Sequence, residues 1–99
     1  MDLNDLTHEY FAGLLSSKFQ LHNERAGTEL ELVEATKLGA GRRGRRDPFS
    51  LIFRGPRDVV FPQRIYRLQA DRLGTLDIFL VPVGPNEEGT GMLYQAIFT

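Results

Sequence analysis

The stretch Gly74-Thr75-Leu76-Asp77-Ile78-Phe79-Leu80-Val81-Pro82-Val83-Gly84-Pro85 decides the fold. In an extended chain Leu76, Ile78 and Leu80 point to one side, and Phe79, Val81 and Val83 point to the other. A strand this rich in Ile, Phe and Val, apolar on both sides, is expected to be covered on both faces. Glycine and proline bound it, and its length suits a strand better than a helix. It reads as the central strand of an all-β core.

Working outward, Pro82 removes a donor, so pairing must stop or bulge there on at least one side. Asp71-Arg72-Leu73-Gly74 forms a tight hairpin back to a preceding strand over about 63–70, which starts beside Pro62. There Tyr66 and Leu68 share one face, and Ile65, Arg67 and Gln69 the other. Upstream, residues 48–54 aim Phe49, Leu51 and Phe53 inward, and Gly55-Pro56 ends them. Residues 29–38 begin with glutamates out and leucines in. After Leu32 the alternation slips by one, the mark of a bulge or sharp bend. Residues 18–22 and 92–98 alternate as well. The last strand puts Met92, Tyr94, Ala96 and Phe98 on one face.

One helix is expected, over about residues 5–16. Thr7 caps it, Glu9 sits in the favoured first turn, and Leu6 and Phe11 are spaced as a hydrophobic staple. Phe11, Leu14 and Leu15 fall on one stripe, and so short a helix is stable only when docked. The reading is mainly β: one domain over 1–99, with about six short, mostly antiparallel strands in a small barrel or folded-over sheet. The N-terminal helix covers it.

The 99 residues suffice for one compact domain, and with no cysteine the chain has neither disulfides nor thiolate metal sites. No apolar run approaches the ~20 residues of a membrane-spanning helix. The start lacks a signal-peptide pattern, so a cytoplasmic protein with no membrane partner is the default. A net charge of −1 gives the molecule as a whole no attraction for nucleic acid.

Two blocks, Pro48-Phe49-Ser50-Leu51-Ile52-Phe53-Arg54-Gly55-Pro56 and Phe79-Leu80-Val81-Pro82-Val83-Gly84-Pro85, carry a resemblance. With Pro62 to Leu68, the closing Tyr94-Gln95-Ala96-Ile97-Phe98, and a helix ahead of Phe19-Gln20-Leu21, the chain resembles a family of small bacterial domains of unknown function. The resemblance brings no activity and no catalytic residues. It implies an association with phage-tail-like genes, and so a structural or assembly role.

Of the 12 basic residues four arginines, Arg42, Arg43, Arg45 and Arg46, crowd into five positions. Guanidinium forks match phosphate bidentately, so this loop is the candidate anion site, against the plainer reading of a solvated, mobile loop. It is not a phosphate loop, because the lysine and hydroxyl are missing. Glu29 and Glu31 lie on one strand face ~7 Å apart, a span glycosidases use, with Glu34 and Asp77 as further carboxylates. A solvated strand face looks the same. His8 and His22 fall on different elements, too few for a metal site. Ser16, Ser17 and Ser50 have no nucleophile-elbow context. Glu87 and Glu88 sit in a flexible acidic loop that lacks calcium-loop spacing.

The reading is therefore not an enzyme and needs no cofactor. It is an interaction or assembly module whose partner is protein, either a homo-oligomer or a larger assembly. The unpaired edge of an open sheet would dock that partner, with Met92, Tyr94, Ala96 and Phe98 as the candidate edge strand. An anion- or nucleic-acid-binding domain using residues 42–46 is the alternative, and a small carboxylate enzyme ranks last.

Overall fold

A computed structural model describes residues 6–22, 27–39, 47–71 and 73–99. The order is α1 (His8–Ala12), β1 (Lys18–His22), β2 (Gly27–Lys37), β3 (Phe49–Pro56), β4 (Arg64–Ala70), β5 (Gly74–Pro85) and β6 (Gly91–Phe98). The six strands form a closed antiparallel barrel in the order β1-β2-β3-β6-β5-β4. Closure comes from β1 pairing with β4, which sets Leu21 against Leu68. Among the described residues no helix is long and apolar enough to cross a membrane.

Both irregularities expected from the sequence are present. The β2–β3 register shifts between Leu32 and Glu34, so Val33 bulges outward while Leu30, Leu32 and then Ala35 keep facing the core. The β5–β6 register shifts between Pro82 and Gly84, where the missing proline donor interrupts the ladder. The helix is shorter than expected. Thr7 caps it by accepting from the Tyr10 N–H at 3.2 Å. It ends at Ala12 because the chain then turns, with Ser16 at φ 71° and its N–H donating to Leu32 O at 2.8 Å. The helix exit is thus already tied to β2.

The interior takes one phase of every strand. Phe19, Leu21, Leu30, Leu32, Leu51, Phe53, Leu68 and Leu80 are fully buried, and Phe19 meets Phe53 edge to face at 5.2 Å. Each end has its own aromatic cover. At one end Phe49 and Phe98, direct cross-strand partners, stack at 4.7 Å, and Phe11 of α1 lies 5.8 Å and 5.6 Å from them. At the other, the connection 57–63 lays Phe61 between Tyr66 and Tyr94, with centroids 5.9 Å and 6.0 Å away. The Phe61 N–H donates to the Tyr94 hydroxyl at 2.9 Å, and Tyr66 donates to Pro62 O. Gly55 takes an inward position of β3, where a Cβ would stand 2.8 Å from Leu30 Cδ2; the space belongs to Leu30.

Two expectations are corrected. The 74–85 strand is not covered on both faces: Ile78 and Leu80 are buried, but Phe79 and Val83 are 48% and 50% exposed. The barrel wall is one layer thick, and α1 sits across its end rather than against its side. Nor is β6 an edge. It pairs with β3 on one side and β5 on the other, with Tyr94 and Ala96 buried inside, so Met92, Tyr94, Ala96 and Phe98 line the interior. Closure removes the open edge that strand addition requires.

Candidate interaction surface

Because only one phase of each strand turns inward, the other phase of β4, β5, β6 and β3 forms an outer face. Its residues follow from the register. Ile65 on β4 stands opposite Phe79 on β5, Val81 on β5 opposite Gln95 on β6, Gln95 opposite Ile52 on β3, and Ile97 opposite Ser50. Phe79 and Ile97 flank the Val81–Gln95 pair, both displaced toward the α1 end. These residues make a strip that bends with β5, whose Gly74–Leu80 part pairs with β4 and whose Val81–Pro85 part pairs with β6: Ile65 and Phe79 lie on one limb, and Val81, Gln95, Ile52 and Ile97 on the other.

The strip is apolar and open. Ile65 is 66% exposed and Ile97 56%, while Ile52, Val81 and Leu93 are half-buried. At its polar centre Gln95 Nε2 donates to Ser50 Oγ at 2.9 Å, and Ser50 itself is buried. Ion pairs border it. On the β4–β5 side Arg67 Nε meets Asp77 Oδ1 at 3.1 Å; beyond β3, Arg54 pairs with Glu31 of β2, which Lys18 approaches at 3.8 Å.

The carboxylates singled out by sequence are not brought together. Glu31 is engaged by Arg54 and Lys18, Glu34 accepts from Thr36 Oγ1 at 3.3 Å, and Asp77 is held by Arg67. In the strand order β5 lies across the barrel from β2, so Asp77 cannot join Glu29 or Glu31. The histidines serve opposite ends: His8 Nε2 donates to Ala35 O at 3.0 Å, and His22 Nε2 pairs with Gln69 Oε1 at 2.9 Å. Among the described residues no group of three His, Asp or Glu gathers as a metal site. Arg42, Arg43, Arg45 and Arg46, in the connection from β2 to β3, lie outside the described residues.

Titration shifts concern structure rather than chemistry. Glu9 is held below the usual carboxylate range by its own backbone N–H and then by Lys37, 3.1 Å away, whose ammonium is raised in turn by Glu9. Burial pushes the phenols of Tyr66 and Tyr94 up. Two shallow clefts accompany these features. One of about 360 Å³ lies between the α1 exit and the β4–β5 hairpin, lined by Leu14, Ser16, Ser17, Lys18, Ala70 and Asp71. The other, about 270 Å³, lies between Val33, Arg54, Leu93 and the 86–88 loop. That loop, expected to be flexible, is tied by Asn86 Oδ1, which accepts from the N–H groups of Thr90 and Gly91 at 2.9 Å and 3.2 Å.

The outer strip was present in the sequence as the second apolar phase of the 74–85 strand and of Ile65 and Ile97. For the 74–85 strand that phase reads as a second covered face, because periodicity reports apolarity and not what covers it. No curated protein and no solved structure matches the chain. A family model does, over residues 6–98, and the chain belongs to that family, described as a domain of unknown function (DUF6916).

Proposed function

We propose that this protein is a non-catalytic interaction module that docks a protein partner on the outer face of β4 and β5. In its finer form it is a subunit or accessory of a multiprotein assembly, of which a phage-tail-like assembly is one instance. The observation that carries the reading is the exposure of Ile65 and Phe79, direct cross-strand partners on the outside of a closed barrel, beside the Arg67–Asp77 ion pair. Scattered surface apolar residues need no explanation, but a contiguous patch bordered by charges marks recognition surfaces.

The interior supports the same conclusion. Its lumen is filled by phenylalanine and leucine side chains, so the barrel itself is a core rather than a ligand cavity. Glu31, Glu34 and Asp77 are engaged by cations or a hydroxyl. The test is a photo-crosslinking residue placed at position 79, with one at position 60 on the 57–63 connection as control, in the source cells. Position 79 should give a protein adduct and position 60 none. Absence of any adduct at position 79 would defeat the reading.

A further inference from the structure

We infer that the seam where β1 meets β4 holds a second docking site, one that takes a short extended peptide beside Lys18. The site is separate from the outer face of β4 and β5, and three observations lead to it.

The first is where the closing ladder stops. β1 and β4 pair from His22–Arg67 to Gln20–Gln69 and no further. Continued, that register would set Phe19 against Ala70 and Lys18 against Asp71, and neither pair is made. Main-chain groups alternate sides along a strand. Ser17 O accepts from the Leu32 N–H of β2 at 3.1 Å, so Lys18, one residue on, turns its own N–H and C=O toward β4. There they have no strand partner. β6 has no free edge, but the closing seam has one at the α1 exit.

The second is space. At this point the strands flank the cleft of about 360 Å³ lined by Leu14, Ser16, Ser17, Lys18, Ala70 and Asp71. That volume falls in the range of ligand clefts. The helix exit does not fill it, because the Ser16 N–H and Ser17 O are both drawn to Leu32 on the β2 side.

The third is chemistry. The sheltered end of the cleft is apolar, with Leu14 buried and Ala70 half-buried. Its exposed rim carries two opposite charges. Lys18 Nζ already has Glu31 at 3.8 Å, whereas Asp71 makes no ion pair among the described residues. A peptide whose N–H and C=O pair with Lys18 places successive side chains on opposite faces. A small apolar one then meets Leu14 and Ala70, and a basic neighbour meets Asp71. The occupant is therefore a protein segment of alternating small apolar and basic residues, held by its main chain as an added strand is.

Amide chemical shifts of the isotope-labelled full chain test the inference, with a capped tetrapeptide alternating valine and lysine added from micromolar to millimolar concentration. Saturable shifts should appear at Lys18, Phe19 and Asp71 and spare Phe79. The same peptide N-methylated along its backbone has lost its donors and should bind roughly ten-fold more weakly. Asp71→Asn should weaken the unmodified peptide by roughly two- to five-fold with an unchanged circular dichroism spectrum. A second variant, Asp71→Lys, should turn the preference toward a peptide alternating valine and glutamate. No shift at Lys18 and Asp71, or equal binding of the methylated peptide, overturns the inference. Free valine giving the same shifts as tightly also overturns it and makes the cleft a small-molecule site. The position-79 adduct reports a different wall, so each reading can fail without the other.

Discussion

Tyr94→Phe removes a single oxygen atom, and its consequence can be worked out. Tyr94 is 1% exposed, and its hydroxyl accepts from the Phe61 N–H at 2.9 Å while donating, at a long 3.4 Å, to Val59 O. That oxygen ties the 57–63 connection, and with it Phe61, to the mouth of the barrel. Without it a buried N–H has no partner, at a cost of about 1–3 kcal/mol. A domain of this size loses about 4–8 °C of Tm per kcal/mol, so thermal melting should fall by roughly 5–20 °C. Tyr66→Phe gives the contrast. Its hydroxyl is the donor, to Pro62 O, and the carbonyl left behind is only part-buried, so a smaller loss of about 1 kcal/mol is expected.

The same hydroxyl has a pH signature. Burial holds the Tyr94 and Tyr66 phenols above the ordinary value of 10.0, so the folded state binds its protons more tightly than the unfolded one. Their contribution is complete below pH 10 and drains away as pH rises through the raised values. Melting temperatures followed by circular dichroism from neutral pH to pH 11.5 should therefore decline above ~10, and Tyr94→Phe should decline less steeply. A Tm change under about 2 °C at neutral pH, or an alkaline profile identical to wild type, would refute the anchoring role.

Gly91→Ala should destabilise by about 1–3 kcal/mol, since the new Cβ would stand 2.6 Å from Arg54 Cγ and 2.8 Å from Gly55 O, and the latter is backbone that cannot swing aside. Urea unfolding with an unchanged midpoint would contradict this. Thr7→Ala removes the acceptor for the Tyr10 N–H and should cost about 1 kcal/mol, seen as faster amide exchange at Tyr10 and Phe11 with β4 and β5 unaffected.

Much of the fold could be read from local chemistry, and what escaped did so for physical reasons. The bulge at Val33 announced itself as a slip in alternation, and the one after Pro82 as a missing donor. Thr7 capped the helix as its side chain requires. Closure could not be read, because it depends on Leu21 meeting Leu68 across 46 intervening residues, and strand patterns look the same in open and closed sheets. With closure open between a small barrel and a folded-over sheet, β6 reads as an edge. The low charge of Met92 to Phe98, read as an unguarded edge, instead suits a strand paired on both sides. The Phe61–Tyr94 link was equally invisible, since an aromatic in a connection gives no periodic signal.

The misread second phase of β5 bears most directly on function. A strand apolar on both sides needs two covers, and a single-layer barrel supplies one. Among the described residues, α1 covers one end of the lumen and the 57–63 connection the other, so neither lies against the outer wall of β5. Phe79 and Val83 therefore keep about half of their surface in water, and exposed apolar side chains carry a solubility cost. Their exposure, with that of Ile65 opposite Phe79, is the ground of the proposed docking face. Charges inserted at Phe79 and Ile65 should accordingly leave the fold intact and abolish docking, whereas a charge at Phe53 or Leu80, whose side chains fill the lumen, should unfold the barrel.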